Sequence, residues 1–206
     1  DIAAAIATMK RDYAIDDNRI FLSGYSAGGS AVMTIAARHP DQFAGVIPLA
    51  AFGNNAFLDS LYNLPVFCHH GQHDWTSAID NVRVYFQQLR AMGATALLKE
   101  YPDRGHSVGP PENLHDWLMA QRRVERPQRV LHRCDTPAQG KAYWVRIRRF
   151  IDIHRHGRVS VLHHGLGEQQ ILVVQADNIN VLKLSLDCSP VELDHDLTIH
   201  ANGNEL

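Results

Sequence analysis

The stretch Arg19-Ile20-Phe21-Leu22-Ser23-Gly24-Tyr25-Ser26-Ala27-Gly28-Gly29-Ser30 decides the fold. Its first half is a short apolar run of the kind that forms a strand buried on both faces. Gly-x-Ser-x-Gly follows, and small residues then open a helix. A strand that turns straight into a helix around a serine has the form of a nucleophile elbow, with Ser26 at its tip. Glycines on either side let the backbone take the tight turn without side-chain clashes. The helix aims its N-terminus at the serine, where free N–H groups favour a developing oxyanion, and the N–H of Ala27 is the first such donor. The competing reading is a Gly/Ser loop with no chemistry; the strand pattern before the serine and the helix pattern after it speak against that.

Outward from this stretch the chain alternates helix and strand. Residues 1–13 place Ile2, Ile6, Met9 and Tyr13 at near-helical spacing, an amphipathic helix that would cover a sheet. The helix after Ser26 runs to about His39 and stops at Pro40. Residues 43–50 read as the next strand, and 51–63 as a loop with one helical turn. In that loop Phe52, Asn54, Asn55 and Phe57 either line a pocket or pack locally. Leu64 to His69 is a buried strand running through Gly71 to Asp74. Residues 79–92 form an amphipathic helix that Gly93 ends, and residues 94–101 form the last strand. Pro110 and Pro111 open a final helix through about Arg122. This alternation predicts βαβ units and a doubly wound parallel sheet.

Residues 17–29, DNRIFLSGYSAGG, resemble the nucleophile region of α/β-hydrolases. Within them the similarity is to serine esterases and peptidases related to dienelactone hydrolase, polyhydroxybutyrate depolymerase and the prolyl oligopeptidase catalytic domain, and it extends over about the first 120 residues. The resemblance implies an α/β fold: the C-terminal part of an α/β-hydrolase parallel sheet with flanking helices. Leu64 to Asp74 resembles the family's Pro-Val-x-x-x-His-Gly-x-x-Asp segment, which makes Asp74 the acid that orients the catalytic histidine. A helix-capping role is the other reading of Asp74. The loop Pro102-Asp103-Arg104-Gly105-His106-Ser107 resembles the family's histidine loop and makes His106 the general base; a solvated loop histidine is the alternative. Ser26, then Asp74, then His106 is the chain order of α/β-hydrolase triads, and each residue follows a strand, so all three should meet at one sheet edge. Tyr25, His70 and Trp75 are the substrate-binding candidates. His69, His70, His73 and Asp74 also admit a metal reading, but their spacing is that of neither a zincin helix nor a Cys/His finger, so no metal and no other cofactor is expected. Relatives of this type carry several strands before the elbow, and an early loop supplies the second oxyanion N–H. Either the chain is a C-terminal portion of a longer protein or the fold is cut down; the expectation is the first, an N-terminally incomplete chain with residues 1–122 as catalytic core.

The totals fit a soluble globular class: 206 residues, 45% hydrophobic, 20% charged and a net charge of -2. Nothing global calls for nucleic acid, and no apolar run is long enough to span a bilayer. The start shows neither an initiator Met nor a signal sequence, so compartment is left open, as is oligomeric state. Cys68, Cys134 and Cys188 form no metal-spacing pattern and read as three buried thiols. After Arg122 the composition shifts. Residues 123–140 read as a basic, Pro-containing linker and 141–206 as a small β-rich module of short alternating segments. His154, His156, His163 and His164 are expected at its surface or turns. Tyr143-Trp144-Val145-Arg146-Ile147 and Ile199-His200-Ala201-Asn202-Gly203 resemble an appendage on esterases or peptidases of this group. The function expected is a serine hydrolase cleaving a small-molecule carboxylic ester through an acyl-enzyme. A prolyl oligopeptidase-like peptidase acting on peptides is the near alternative. A non-catalytic carbohydrate- or partner-binding protein, using Tyr143 and Trp144, is the alternative of another class.

Overall fold

The computed structural model describes residues 2–167 and 169–205, with Ala56 described by its backbone alone. The first half follows the order α1 (Ile2–Asp12), β1 (Phe21–Tyr25), α2 (Ala27–Arg38), β2 (Gly45–Leu49), β3 (Val66–Gly71), α3 (Ile79–Ala91), β4 (Ala96–Tyr101) and α4 (Leu114–Ala120), with a 3-10 segment at Asn55–Leu61 between β2 and β3. The four strands form one sheet in the order β1-β2-β3-β4, and every pairing is parallel. Strand side chains alternate between two covered faces, which is why these strands read as unbroken apolar runs. Val46, Val66 and Cys68 join the core under α2 and α3, built with Met33, Tyr85, Phe86 and Leu89. Ile47 and Phe67 point the other way and pack on Trp117 of α4. Helix α1 follows its apolar pattern only in part. Ile2 and Ile6 pack on the core, whereas Met9 and Tyr13 are exposed.

The second half contains β5 (Arg129–Cys134), β6 (Lys141–Ala142), β7 (Val145–Phe150), β8 (Gly157–His164), β9 (Gln170–Asp177), β10 (Ile179–Leu184), β11 (Leu197–Ala201) and β12 (Asn204–Glu205). They make a sheet ordered β12-β11-β9-β8-β5 and a second ordered β10-β7-β6. Trp144, Ile147, Val161 and Leu172 lie at the centre of the core the two sheets share.

Three expectations are corrected here. The stretch 123–140, read as a linker, carries strand β5, which pairs antiparallel with β8 along its whole length. Its basic residues mask an inward set, because Val130, Leu131, His132 and Cys134 are buried while Arg129 is exposed. Among the histidines expected at the module surface, His163 is buried and its Nε2 lies 3.3 Å from Gln170 Oε1. Among the cysteines, Cys188 is exposed, and only Cys68 and Cys134 are buried.

The two halves are sewn together. Ser60 Oγ lies 3.1 Å from His132 Nδ1 and accepts the Arg133 N–H at 3.0 Å. Asp59 pairs with Arg158 at 2.7 Å, and Lys141 with Asp41 at 2.6 Å. Tyr143 donates its hydroxyl to the Pro40 carbonyl at 3.1 Å. The Arg123 guanidinium donates to Asn18 Oδ1 and to the Asp41 carbonyl. Among the described residues no helix is long and apolar enough to cross a membrane.

Candidate active site

Strand β1 ends at Tyr25 and α2 begins at Ala27, so Ser26 alone makes the turn. Its backbone sits at φ 54° and ψ -123°, a conformation that costs a non-glycine residue on the order of 1–3 kcal/mol. The surrounding hydrogen bonds hold it there: the Ser26 N–H donates to the Leu49 carbonyl at 2.8 Å, and its carbonyl accepts from the Ser30 N–H at 3.1 Å. Gly24 is required because the start of α2 crosses directly over it. A Cβ there would lie 2.5 Å from the Gly28 carbonyl carbon and 2.9 Å from the Gly29 nitrogen. The Ala27 N–H is the first of the helix, with no partner one turn earlier in the same helix.

The other two candidates come from the ends of β3 and β4. Gly71 closes β3 against the loop that carries His106: a Cβ on it would lie 2.7 Å from the Arg104 carbonyl carbon. The two segments therefore approach backbone to backbone. His106 Nε2 lies 2.9 Å from Ser26 Oγ, and His106 Nδ1 lies 2.8 Å from Asp74 Oδ2. A hydroxyl, an imidazole and a carboxylate separated by up to 80 residues thus form one hydrogen-bonded line. The Asp74 side chain is fully buried, and that of His106 is about a quarter exposed.

The two carboxylate oxygens of Asp74 take different partners, and neither caps α3, whose N-cap Ala78 has no side-chain cap. Oδ2 faces His106, while Oδ1 accepts the Thr76 and Ser77 N–H groups, each at 2.9 Å. Burial pushes its pKa up. The His106 hydrogen bond and the two backbone N–H groups together outweigh that, and the net result lies below the ordinary carboxylate value. The carboxylate form of Asp74 is therefore favoured beside His106.

Tyr25 flanks the line. Its hydroxyl donates to the His106 carbonyl at 3.1 Å, and its ring centroid lies 5.2 Å from that of the imidazole. The ring is half exposed, which leaves a face open beside Ser26. Trp75 is 89% exposed, so it is neither core packing nor a formed pocket wall. His70 does not line a substrate surface. Its side chain is wholly buried, with Nε2 2.7 Å from the Ser77 carbonyl and 3.3 Å from Asp74 Oδ2, because β3 is covered on both faces. The histidines of the metal reading diverge. His69 is buried with Nδ1 2.9 Å from the Tyr101 hydroxyl, His70 turns to Ser77, and His73 is exposed. Burial, reinforced by Lys99 and opposed by Glu112, pulls His69 down to about 4, so the ring is neutral near pH 7. Of the loop candidates, Phe57 is buried in the core and Phe52 packs on Tyr85. Trp144 is likewise core, donating Nε1–H to the Pro127 carbonyl at 2.9 Å, so it offers no exposed aromatic face.

The dienelactone hydrolase family model matches residues 1–123, more than half of the chain. The chain belongs to the dienelactone hydrolase family. It is 27% identical over 112 residues to an Arabidopsis thaliana protein named "Probable carboxylesterase SOBER1-like", which covers 50% of this chain and 43% of that protein. It is 39% identical over 49 residues to poly(3-hydroxyalkanoate) depolymerase C of Paucimonas lemoignei, over 24% of this chain and 12% of that one. Among solved structures, a thermostable esterase superposes with a TM-score of 0.54 at 25% identity, covering 59% of this chain and 36% of the other. The chain therefore spans less than half the length of these proteins. All of the family match falls on the half that holds the parallel sheet and the Ser26–His106–Asp74 line.

Proposed function

We propose that the protein is a serine hydrolase of carboxylic esters that works through an acyl-enzyme. The observation that carries this reading is the continuous line from Ser26 Oγ to His106 at 2.9 Å and from His106 to Asp74 at 2.8 Å. In the proposed cycle Ser26 attacks the ester carbonyl as His106 Nε2 takes its proton. His106 then returns that proton to the leaving alcohol, and the acyl group stays on Ser26. Water, activated by the same imidazole, releases the acid and restores the serine. Asp74 holds the imidazole with Nδ1–H toward it and stabilises the positive charge that forms on the ring. The Ala27 N–H supplies one donor to the oxyanion, and each such donor is worth on the order of 2.7–4 kcal/mol of transition-state stabilisation.

The chain also falls naturally, on this proposal, into a catalytic core and a β-rich module, with the boundary between Arg122 and β5. An esterase named among its relatives and a fold shared with a solved esterase support ester over amide substrates. The test is labelling with a fluorophosphonate together with turnover of short-chain aryl esters. Covalent labelling should occur at Ser26 and vanish in Ser26→Ala. Labelling or turnover that survives Ser26→Ala removes the proposal.

A further inference from the structure

His70 is a wholly buried side chain beside the site, and nothing in the mechanism above uses it. Its ring is wholly buried at the end of β3, level with Glu100 on β4. Nδ1 is buried and has no hydrogen-bond partner among the described residues. An unsatisfied buried nitrogen costs about 1–3 kcal/mol, a penalty that an apolar side chain filling the same space would avoid. The other nitrogen faces two groups that can only accept, the Ser77 carbonyl at 2.7 Å and Asp74 Oδ2 at 3.3 Å. Nε2 therefore carries the proton and donates it to the Ser77 carbonyl, with Asp74 Oδ2 beside it.

We propose that His70 is a positioning residue, whose Nε2–H locks the 74–77 turn and fixes the Asp74 carboxylate in the orientation that His106 meets. A carboxylate offers about four acceptor sites. Thr76 N–H and Ser77 N–H fill those on Oδ1, and His106 meets Oδ2, which also lies 3.3 Å from His70 Nε2, within ion-pair range. Ser77 is held at both of its backbone polar groups, its N–H by Asp74 and its carbonyl by His70. Without His70 the Ser77 carbonyl loses its partner, and Oδ2 loses the N–H group 3.3 Å away. The 74–77 turn is then free to shift, and the carboxylate it holds and the imidazole follow it. An error of about 1 Å in such a line is enough to cost on the order of 100-fold in rate.

This inference rests on the proposed serine mechanism and deepens it. The test compares His70→Leu, His70→Asn and His70→Gln. The Gln amide nitrogen reaches the place of Nε2, whereas that of Asn reaches only the place of Nδ1. The Leu and Asn variants should lose roughly 10- to 100-fold in kcat with KM nearly unchanged, and Gln should recover most of that loss. Equal kcat in folded Gln and Asn variants, or wild-type kcat in a folded Leu variant, overturns the inference. Nitrogen-15 NMR of histidine-labelled wild-type protein gives a readout that needs no variant to fold: the proton should sit on His70 Nε2, with Nδ1 bare. The opposite tautomer also overturns the inference. Turnover that persists in Ser26→Ala would instead remove the serine mechanism, and it would leave the tautomer measurement standing by itself.

Discussion

Two glycines of the elbow, four residues apart, should respond in opposite ways to the same methyl group. In Gly24→Ala the added Cβ meets backbone on every near side, at 2.5 Å from the Gly28 carbonyl carbon and 2.9 Å from the Gly29 nitrogen. Carbon atoms prefer separations of about 3.5–4.0 Å, so roughly 1 Å of overlap must be relieved, and no flexible side chain is there to give way. Overpacking of this kind costs about 1–3 kcal/mol, and a rigid backbone neighbour places Gly24→Ala at the upper end. The relief must come from α2 sliding off β1. That moves Ser26 away from His106, which should lower kcat/KM by on the order of 100-fold. Gly28→Ala meets nothing within 4 Å and lies in the first turn of α2. It should keep activity and gain up to about 1 kcal/mol from the better helix propensity of alanine. The assay is urea unfolding followed by circular dichroism, beside ester turnover on the same preparations. For a chain of this size about 3 kcal/mol is a fall of roughly 6–12 °C in melting temperature, well outside error. Gly24→Ala with wild-type stability, or Gly28→Ala destabilised as much as Gly24→Ala, would refute the close crossing of α2 over β1.

Asp74→Asn should fold, because Oδ1 can still accept from Thr76 and Ser77, but it presents an amide to His106 Nδ1 and should cut kcat by roughly ten-thousand-fold, read from steady-state ester hydrolysis. Acid should destabilise the protein before any carboxylate is protonated. His69 is held near 4 against an ordinary 6.5, so the unfolded chain takes up the proton first. Stability is then full above about pH 6.5 and falls as the pH drops toward 4, by on the order of 3 kcal/mol. Buried His132, also pulled down by burial, adds to the same trend. Urea midpoints at pH 7 and pH 4.5 measure this, and the difference should shrink in His69→Gln. Ser60→Ala should cost about 1–3 kcal/mol by thermal unfolding, because it leaves the Arg133 N–H and the His132 ring without their partner across the interface.

The parallel half was legible in the sequence because its signals are local. Buried strands show as apolar runs, and the elbow's glycines and serine are contiguous. The convergence of Ser26, Asp74 and His106 followed from each lying just past a strand. What stayed hidden depends on which way a side chain turns. Asp74 read as either an acid or a helix cap; one oxygen faces His106, and the other closes the 74–77 turn ahead of α3 rather than capping the helix. His70 and Trp75 read alike as pocket residues; a strand covered on both faces buries the first, and the turn beyond it exposes the second. Strand β5 was concealed by charge, since Arg126, Arg129 and Arg133 dominate a window in which Val130 and Cys134 do the packing. Trp144 announced an aromatic without saying which face of its sheet it would occupy.

The stitching between the halves limits how the chain can be re-engineered. Ser60, Asn63 and Asp59 on one side, and Arg129, Arg133 and Arg158 on the other, form a single seam through a 3-10 segment deep in the parallel half. A chimera cut at residue 123 would strand half of that seam on each fragment, leaving buried backbone donors facing water or a foreign surface. Any successful transplant of the β-rich half must therefore carry the chemistry of residues 59–63 with it, grafted into whatever hydrolase receives it.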